Sequence, residues 1–298
     1  MKKYACLALG LLCLRFDGFP RVREDLRTPS GLSVVLEYRS LQPGEAVLAA
    51  LGDSPDVVRA EIRCLGRTYG LKAGEKDTEP FALIGLDLGL QPGTYSMDIL
   101  IEKKGGRWEG IHKELVLVPR EFPAKKLRVG QAYVTPPPEL ERRIANESEL
   151  LKTVFGMVTP EWLAEGEFIL PHDAQAYPNF GQRRIYNGVP RSIHSGIDIA
   201  VPWGQPVRAS NSGRIAVAGG LYFAGKSVII DHGLGVFTFY CHLSNILVKR
   251  GDLVRKGDVI AKSGNTGRSS GPHLHWAVKV QDSRIDPFSL LDLRFPEY

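Results

Sequence analysis

Three short segments place histidines at spacings that could support chemistry: His194-Ser-Gly-Ile-Asp198, Tyr240-Cys-His242-Leu and His273-Leu-His275-Trp. In a β-strand, residues i and i+2 point to the same face of the sheet. His273 and His275 would therefore share one side of a strand, with the intervening Leu274 packed into a core. Two imidazole rings on one side of a strand could line a cleft and bind a metal or move protons.

The same alternation makes a prediction for the second segment. Tyr240 and His242 should lie on one face of their strand, and Cys241 should lie on the opposite face. We therefore expect Tyr240 either to line the cleft or to pack beside it. We do not expect Cys241 to act as a nucleophile, because its face would separate it from the neighbouring imidazole.

Asp198 stands between Ile197 and Ile199, inside an apolar run that reads as a strand. An unpaired buried carboxylate is costly, so this residue needs a partner, and a metal ion would provide one. Two histidine nitrogens and one carboxylate oxygen, with an open fourth position, form the donor set of a catalytic zinc site. The alternative is a group of unrelated core and surface histidines.

The segments together resemble the M23 (LytM/lysostaphin-like) zinc metallopeptidases. Residues 194–207, HSGIDIAVPWGQPV, resemble the family's HxGxDxxxPxGxPV pattern, and residues 240–244, YCHLS, resemble its YxHLS segment. Residues 263–275, SGNTGRSSGPHLH, resemble SGxTGxSxGPHLH, and residues 180–183, FGQR, resemble FGxR. The resemblance covers about residues 168–291, with the motifs in the family's order.

The resemblance implies a role for each site residue. His194, Asp198 and His275 correspond to the zinc ligands, with one Zn²⁺ for the catalytic domain. His242 and His273 correspond to the catalytic pair, one acting on the proton of a water molecule and the other stabilising an oxyanion. Which of the two is the general base stays open at this stage.

The resemblance also implies a substrate and a compartment. M23 peptidases cleave peptide cross-links of peptidoglycan, so the expected substrate is its stem peptides, with D-Ala–diaminopimelate bonds as the expected target. Such an enzyme would be exported to the periplasm or cell envelope. The alternative within this fold is a non-catalytic LytM-type factor that binds and activates cell-wall amidases.

A second alternative comes from residues 248–261, VKRGDLVRKGDVIA, which resemble the hairpin of biotinyl or lipoyl carrier domains. Such a carrier presents a modifiable lysine at the hairpin tip, in a context that this sequence lacks. M23 domains contain a similar hairpin as scaffold. We therefore interpret these residues as scaffold, and we interpret His232, at a strand-end turn, as structural.

The residues before the chemistry-bearing segments predict a separate domain. Short alternating runs separated by Gly and Pro turns predict an immunoglobulin-like β-sandwich over 25–120 without catalytic residues. The expected strands are Ser33–Tyr38, Ala46–Leu51, Val57–Cys64, Phe81–Asp87, Tyr95–Glu102 and Ile111–Val118. Residues 90–95, LQPGTY, resemble the turn and tyrosine that precede a late strand in such sandwiches.

Residues 121–167 read as a Pro-rich linker with one amphipathic helix over 139–155. We expect this helix to be a docking element between domains. One hypothesis is that the N-terminal domain and this linker cover the cleft and restrain the enzyme; the alternative is a plain spacer. Residues 168–298 then form the second all-β domain, an antiparallel-sheet peptidase domain of the LytM type.

Composition sets limits on the remaining classes of protein. The chain has 298 residues, and its hydrophobic share of 43% is typical of a folded protein. Its net charge of +5 is small enough that no nucleic-acid partner is expected. Residues 1–18 read as a signal peptide, and no integral membrane segment is expected after its removal. Its removal would take Cys6 and Cys13, leaving Cys64 and Cys241 as free thiols.

Overall fold

The structure, a computed structural model, describes residues 21–52, 54–71 and 79–296. The predicted signal peptide, with Cys6 and Cys13, lies outside the described residues. Cys64 and Cys241 are both free and buried, as expected. The described chain is built mainly from β-strands, which confirms the predicted all-β class.

The N-terminal part forms a sandwich of two antiparallel four-stranded sheets. Its eight strands are β1 (Val22–Arg27), β2 (Ser33–Tyr38), β3 (Ala46–Leu51), β4 (Val57–Cys64), β5 (Arg67–Gly70), β6 (Phe81–Gly85), β7 (Gly93–Lys103) and β8 (Arg107–Leu117). One sheet has the order β1-β2-β3-β6 and the other β5-β4-β7-β8. Alternate apolar residues of both sheets meet in one core, including Leu36 and Ile99, because every second side chain of a strand faces the same side.

A hydrogen bond links Tyr95 to the turn that leads into β7. The hydroxyl of Tyr95 donates to the carbonyl of Gln91, four residues upstream, at 2.8 Å. A tyrosine that bonds back to the preceding turn is a feature of immunoglobulin-like sandwiches. The specific immunoglobulin-like assignment stays a prediction.

The sandwich shares a hydrophobic core with the C-terminal part of the chain. Strands β3 and β6 are buried on both faces, and their second face contributes Leu48 and Phe81 to a cluster that includes Trp162 and Phe295. The rings of Phe81 and Trp162 meet edge to face with centroids 5.2 Å apart. The two parts of the chain are therefore packed together.

Buried ion pairs cross the same interface. Arg39 of the sandwich contacts Glu45 at 2.6 Å and Asp286 of the C-terminal part at 3.0 Å. Arg120 contacts Asp286 at 2.7 Å. Because a buried charge is costly without its partner, these pairs fix one orientation of the sandwich on its neighbour.

The connecting residues 124–156, which we call the strap, run along the C-terminal part. The strap contains β9 (Ala124–Leu127), two 3₁₀ turns (Gln131–Tyr133 and Pro138–Leu140) and α1 (Glu141–Gly156). The residues of α1 that pack, such as Phe155, contact Phe237 and other residues of the C-terminal sheet. The expectation that this helix docks between domains is therefore wrong, because its apolar face covers one sheet of the C-terminal part.

The C-terminal part is organised around an eight-stranded antiparallel sheet. The elements after α1 are β10 (Ala176–Tyr177), β11 (Arg183–Tyr186), β12 (Val189–Ile193), β13 (Gly196–Ile199), β14 (Pro206–Arg208), β15 (Gly213–Leu221), β16 (Gly225–Asp231), β17 (Val236–Leu243), β18 (Asn245–Ile246), β19 (Leu253–Val254), β20 (Val259–Lys262), β21 (Leu274–Val280), β22 (Ser283–Ile285) and α2 (Pro287–Leu291). The large sheet has the order β10-β13-β21-β17-β16-β15-β19, with β22 beside β21. A second sheet has the order β12-β11-β9, in which β9 of the strap pairs in parallel with β11.

The two faces of the large sheet have different roles. Leu274, Trp276 and Val278 of β21 lie in the core shared with the sandwich. His275, between them in sequence, faces the opposite side and lines a cleft. Among the described residues, no helix has the length and hydropathy needed to cross a bilayer.

Candidate metal centre and cleft

Strand register brings the three predicted ligands together. Asp198 in β13 lies directly opposite His275 in β21, and His194 lies just before β13, separated from it by Ser195. Gly196, which lies between His194 and Asp198 in the sequence, allows the backbones of β13 and β21 to come this close. A Cβ atom at this position would lie 2.4 Å from the carbonyl oxygen of Trp276. The glycine of the HxGxD pattern therefore lets β13 approach β21.

The ligand atoms form a small triangle. Nε2 of His194 lies 3.0 Å from Oδ1 of Asp198 and 2.9 Å from Nδ1 of His275. Nδ1 of His275 lies 3.2 Å from the same Oδ1. Two ligands of a tetrahedral zinc, each about 2.0–2.1 Å from the ion, lie about 3.3 Å apart, so the triangle fits such an ion.

The hydrogen bond behind His194 supports the same conclusion. Nδ1 of His194 lies 2.8 Å from the carbonyl oxygen of Asn179, to which it donates in the neutral ring. Nε2 then carries a lone pair and faces a carboxylate oxygen, which is also only an acceptor. A cation between these atoms would relieve that contact, so the donor set fits a metal ion.

The protonation states also suit metal binding. Burial raises the pKa of the Asp198 carboxyl, but the contacts with the adjacent His194 and His275 outweigh burial and hold this pKa well below its usual range. Burial lowers the pKa of His275 to about 4. Near neutral pH the carboxylate is therefore ionised and the imidazole is neutral, which are the forms that bind a metal.

The two predicted catalytic histidines lie beside the ligands. The rings of His242 and His273 have centroids 4.9 Å apart, and Nε2 of His273 is 3.6 Å from Oδ1 of Asp198. Nδ1 of His242 donates to the carbonyl of Thr266, and Nδ1 of His273 donates to that of Gly271, each at 2.8 Å. Both Nδ1 atoms are thus bonded to the backbone, which leaves both Nε2 atoms for the cleft.

The environment of His242 differs from that of an exposed histidine. Burial and the nearby His273 and His275 lower the pKa of His242 to about 3. The ring is therefore neutral near pH 7, so Nε2 can accept a proton.

The prediction that Tyr240 and His242 share one face of their strand, with Cys241 on the other, is wrong. His242 has a φ of +61°, a left-handed conformation that is uncommon outside glycine. This conformation turns His242 onto the same side as Cys241, and both residues line the cleft. Tyr240 lies on the other face, fully buried, where its hydroxyl accepts a hydrogen bond from the backbone N–H of Ser210.

The polar residues that support the ligands were not predicted. The side-chain Nδ2 of Asn179 donates to Oδ2 of Asp198 at 2.9 Å, and its Oδ1 accepts from the Asp198 backbone N–H. Nη2 of Arg184 donates to the same Oδ2 at 2.8 Å. The arginine of the FGQR segment, Arg183, is instead exposed, and its side chain donates to the carbonyl of Phe122.

One further expectation concerns His232, and the serines before His273 also have a place at the site. His232 is structural, as expected: Nδ1 donates to the Ser212 carbonyl, and Nε2 lies 2.7 Å from the Thr238 hydroxyl. Ser269 and Ser270 line the cleft, and Oγ of Ser269 lies 3.2 Å from Nδ1 of His273.

The cleft itself has a volume of about 250 Å³ and extends from the ligands to the strap. The strap contributes six of its lining residues: Leu127, Val129, Ile144, Glu147, Ser148 and Leu151. Arg268 also lines the cleft, with its guanidinium 4.8 Å from the ring centre of Tyr186 and 4.5 Å from that of Phe223.

Comparison with known proteins now adds to this geometry. Residues 192–287 match the model of peptidase family M23, and this range contains the four site histidines and Asp198. Over that segment the chain is similar to the peptidases of family M23. The members of that family are metallopeptidases, which are hydrolases.

Curated relatives match about a third of the chain. The peptidoglycan DD-endopeptidase ShyA of Vibrio cholerae is 44% identical over 109 residues, which are 36% of this chain and 25% of ShyA. The DD-carboxypeptidase/endopeptidase Mpg of Neisseria meningitidis is 45% identical over 98 residues, 33% of this chain and 23% of Mpg. The matched region spans about a quarter of the length of each relative.

The similarity to a solved structure extends beyond the M23 domain. A Pseudomonas aeruginosa crystal structure named for peptidase M23 superposes with a TM-score of 0.65 at 26% identity. It covers 85% of this chain and 96% of that one. The fold that surrounds the M23 domain is therefore shared with that protein as well.

Proposed function

We propose that the protein is a zinc-dependent endopeptidase that hydrolyses peptide cross-links of peptidoglycan. The observation that carries the proposal is the pair His242 and His273, each held at Nδ1 by a backbone carbonyl, beside the His194, Asp198 and His275 triangle. A binding protein has no need of two such imidazoles next to a complete ligand set. The non-catalytic amidase activator is therefore not favoured.

The proposed ligands are His194 through Nε2, Asp198 through Oδ1 and His275 through Nδ1. Zinc bound there supplies a Lewis acid and makes water a nucleophile near neutral pH. Three protein ligands leave the fourth position open toward the cleft, which is the arrangement of catalytic rather than structural zinc.

His242 and His273 divide the remaining work. One Nε2 accepts the proton that water loses on attack and passes it to the leaving amine, a role that contributes about 10²–10⁴-fold to the rate. The other donates a hydrogen bond to the carbonyl oxygen as negative charge develops there. The backbone carbonyls of Thr266 and Gly271 fix both rings and their tautomers.

We assign the substrate and the compartment by similarity. ShyA is named a peptidoglycan DD-endopeptidase and Mpg a DD-carboxypeptidase/endopeptidase. The bond proposed for this protein is accordingly the D-Ala–diaminopimelate cross-link between stem peptides. The protein would meet that substrate in the periplasm or cell envelope, after export directed by residues 1–18.

The proposed domains are a signal peptide at 1–18, an immunoglobulin-like sandwich at 25–120, a connecting region at 121–167 and the peptidase domain at 168–298. Within this arrangement we assign intramolecular restraint to the strap. Of the described residues, none before Leu127 lines the cleft, whereas six strap residues do. The restraint would therefore act through α1 and the residues before it, with the sandwich holding the start of the strap.

Incubation of purified sacculi with the protein tests the proposal. We expect soluble peptides to be released by the zinc-loaded protein, release to stop when a chelator removes the metal, and release to return when Zn²⁺ is added. Release that is unaffected by complete removal of the metal would contradict the proposal. A matched protein with His242 and His273 both replaced by Ala controls for contaminating hydrolases.

A further inference from the structure

The two carboxylate oxygens of Asp198 have separate partners. Oδ1 faces the two histidine ligands, with Nε2 of His194 at 3.0 Å and Nδ1 of His275 at 3.2 Å. Oδ2 faces away from them and accepts hydrogen bonds from Nδ2 of Asn179 and Nη2 of Arg184. The carboxylate is therefore held so that a single oxygen points at the metal position.

Arg184 lies at a position that a charged side chain seldom occupies. It belongs to β11, the central strand of the small sheet, and its side chain is only 9% exposed. Its Nε is buried without a hydrogen-bond partner among the described residues. Within the described part of the chain, Asp198 is the carboxylate with which Arg184 forms an ion pair.

The cost of this burial indicates a role beyond folding. A buried guanidinium with an unsatisfied N–H is destabilising, and an apolar side chain in its place would avoid that cost. Departures from the rules of stable packing are concentrated at functional sites. The position of Nη2, 2.8 Å from Oδ2 of Asp198, identifies the group that Arg184 serves.

We propose that Arg184 is a positioning residue that keeps Asp198 a one-oxygen ligand of the metal. The proposal rests on the metal site of the proposed function. The terminal torsion of an aspartate has a broad energy minimum, so an unrestrained carboxylate can turn its second oxygen toward a cation. By holding Oδ2, Arg184 keeps that oxygen out of the coordination sphere and leaves a position open for water and substrate.

Substitution of Arg184 tests this role through the metal itself. The variants are Arg184→Met, which removes the charge and the donors, and Arg184→Lys, which can replace the single contact made by Nη2. Arg183→Met is the matched control, because the neighbouring Arg183 is exposed and bonds only to the Phe122 carbonyl among the described contacts. The measurements are the Zn²⁺ dissociation constant, by competition with a chelating dye, and the visible absorption spectrum of the Co²⁺-loaded protein.

We expect R184M to bind Zn²⁺ about 10–100-fold more weakly, as is usual when a partner of a metal ligand is lost. We also expect its Co²⁺ absorption to weaken, as it does when the coordination number rises above four. R184K should stay nearer to the wild type in both measurements, and R183M should match the wild type. Circular dichroism checks folding, and Arg184→Gln, expected to lose less affinity than R184M, replaces R184M if that variant is unfolded.

Unchanged affinity and an unchanged Co²⁺ spectrum in R184M, or in R184Q where it replaces R184M, would overturn the positioning role. This result is distinct from failure of the proposed function. Wild-type protein that binds Co²⁺ in a four-coordinate site without cleaving peptidoglycan would remove the endopeptidase proposal and leave the role of Arg184 intact. Wild-type protein that binds neither metal would overturn both.

Discussion

Asp198 and His275 are register partners on neighbouring antiparallel strands, and Oδ1 of the aspartate lies 3.2 Å from Nδ1 of the histidine. Two of the proposed ligands are thus placed by the hydrogen bonding of β13 and β21 rather than by a loop. The third, His194, is held by the Asn179 carbonyl. A centre built on paired strands should keep its shape when the metal is removed.

The first prediction concerns the charge of this centre. Asp198→Asn keeps the size of the side chain but removes the negative charge that a divalent cation needs. We expect Zn²⁺ affinity to fall by more than the roughly 10–100-fold typical for loss of a supporting residue, because a ligand is lost. Titration calorimetry measures this change, with the exposed Asp173→Asn as control. Wild-type affinity in D198N would contradict the assigned ligand set.

A second prediction uses the backbone of His242. Its φ of +61° is a conformation that glycine adopts freely and that costs other residues about 1–2 kcal/mol. We expect His242→Gly and His242→Ala both to lower turnover by about 10²–10⁴-fold while still binding zinc. H242G should also unfold at a higher urea concentration than H242A. Full turnover in either variant would contradict the catalytic role of His242. Equal urea midpoints for H242G and H242A would show that the left-handed backbone at this position is not strained.

The third prediction concerns restraint by the strap. Oε2 of Glu147 accepts a hydrogen bond from the backbone N–H of Tyr222 at 2.6 Å, which ties α1 to the cleft wall. We expect Glu147→Ala to loosen the helix and raise the initial rate on sacculi several-fold. Lys152→Ala, on the exposed side of the same helix, is the control and should leave the rate unchanged. Equal initial rates for E147A and the wild type would contradict the hypothesis that the strap restrains the enzyme.

A fourth prediction follows from His232. Burial lowers its pKa from the ordinary 6.5 to about 4. Between those two values the unfolded chain binds a proton that the folded chain excludes, so the free energy of unfolding falls as the pH falls. The loss from this residue begins near pH 6.5, is complete near pH 4 and amounts to about 3 kcal/mol.

Urea unfolding of metal-free protein between pH 7 and pH 4 measures this contribution. His232→Asn, whose amide can still donate to the Ser212 carbonyl, lacks the titrating group. The unfolding free energies of the wild type and H232N should therefore converge by about 3 kcal/mol as the pH falls through this window. Curves that stay parallel would show that His232 does not titrate as expected.

Strand patterns predicted much of the fold because many strands have one buried face. The expected runs 33–38 and 46–51 have the same bounds as β2 and β3. Strand β1 was missed because its sequence, VREDLR, is mostly charged and exposed at a sheet edge. The small sheet was missed because β9 pairs with β11, some 60 residues further along the chain, and no local pattern encodes such a pairing.

The sequence predicted which residues would lie together in the cleft but not all of their geometry. The motifs identified the five histidine and aspartate positions, and the structure brings those residues together around one cleft. Alternation failed at Tyr240 and Cys241 because the left-handed backbone of His242 interrupts it. Asn179 and Arg184 were missed because their contacts with Asp198 exist only in the folded chain.

Mass spectrometry of the fragments released from cross-linked peptidoglycan tests the central claim most directly. The substrate is a purified dimer of disaccharide peptides joined by a D-Ala–diaminopimelate bond, incubated with zinc-loaded wild type and, as control, with D198N. The account predicts that the wild type converts the dimer into two monomers by adding one water molecule across the cross-link, and that D198N does not. An intact dimer, or cleavage between sugar and peptide instead, would contradict the account.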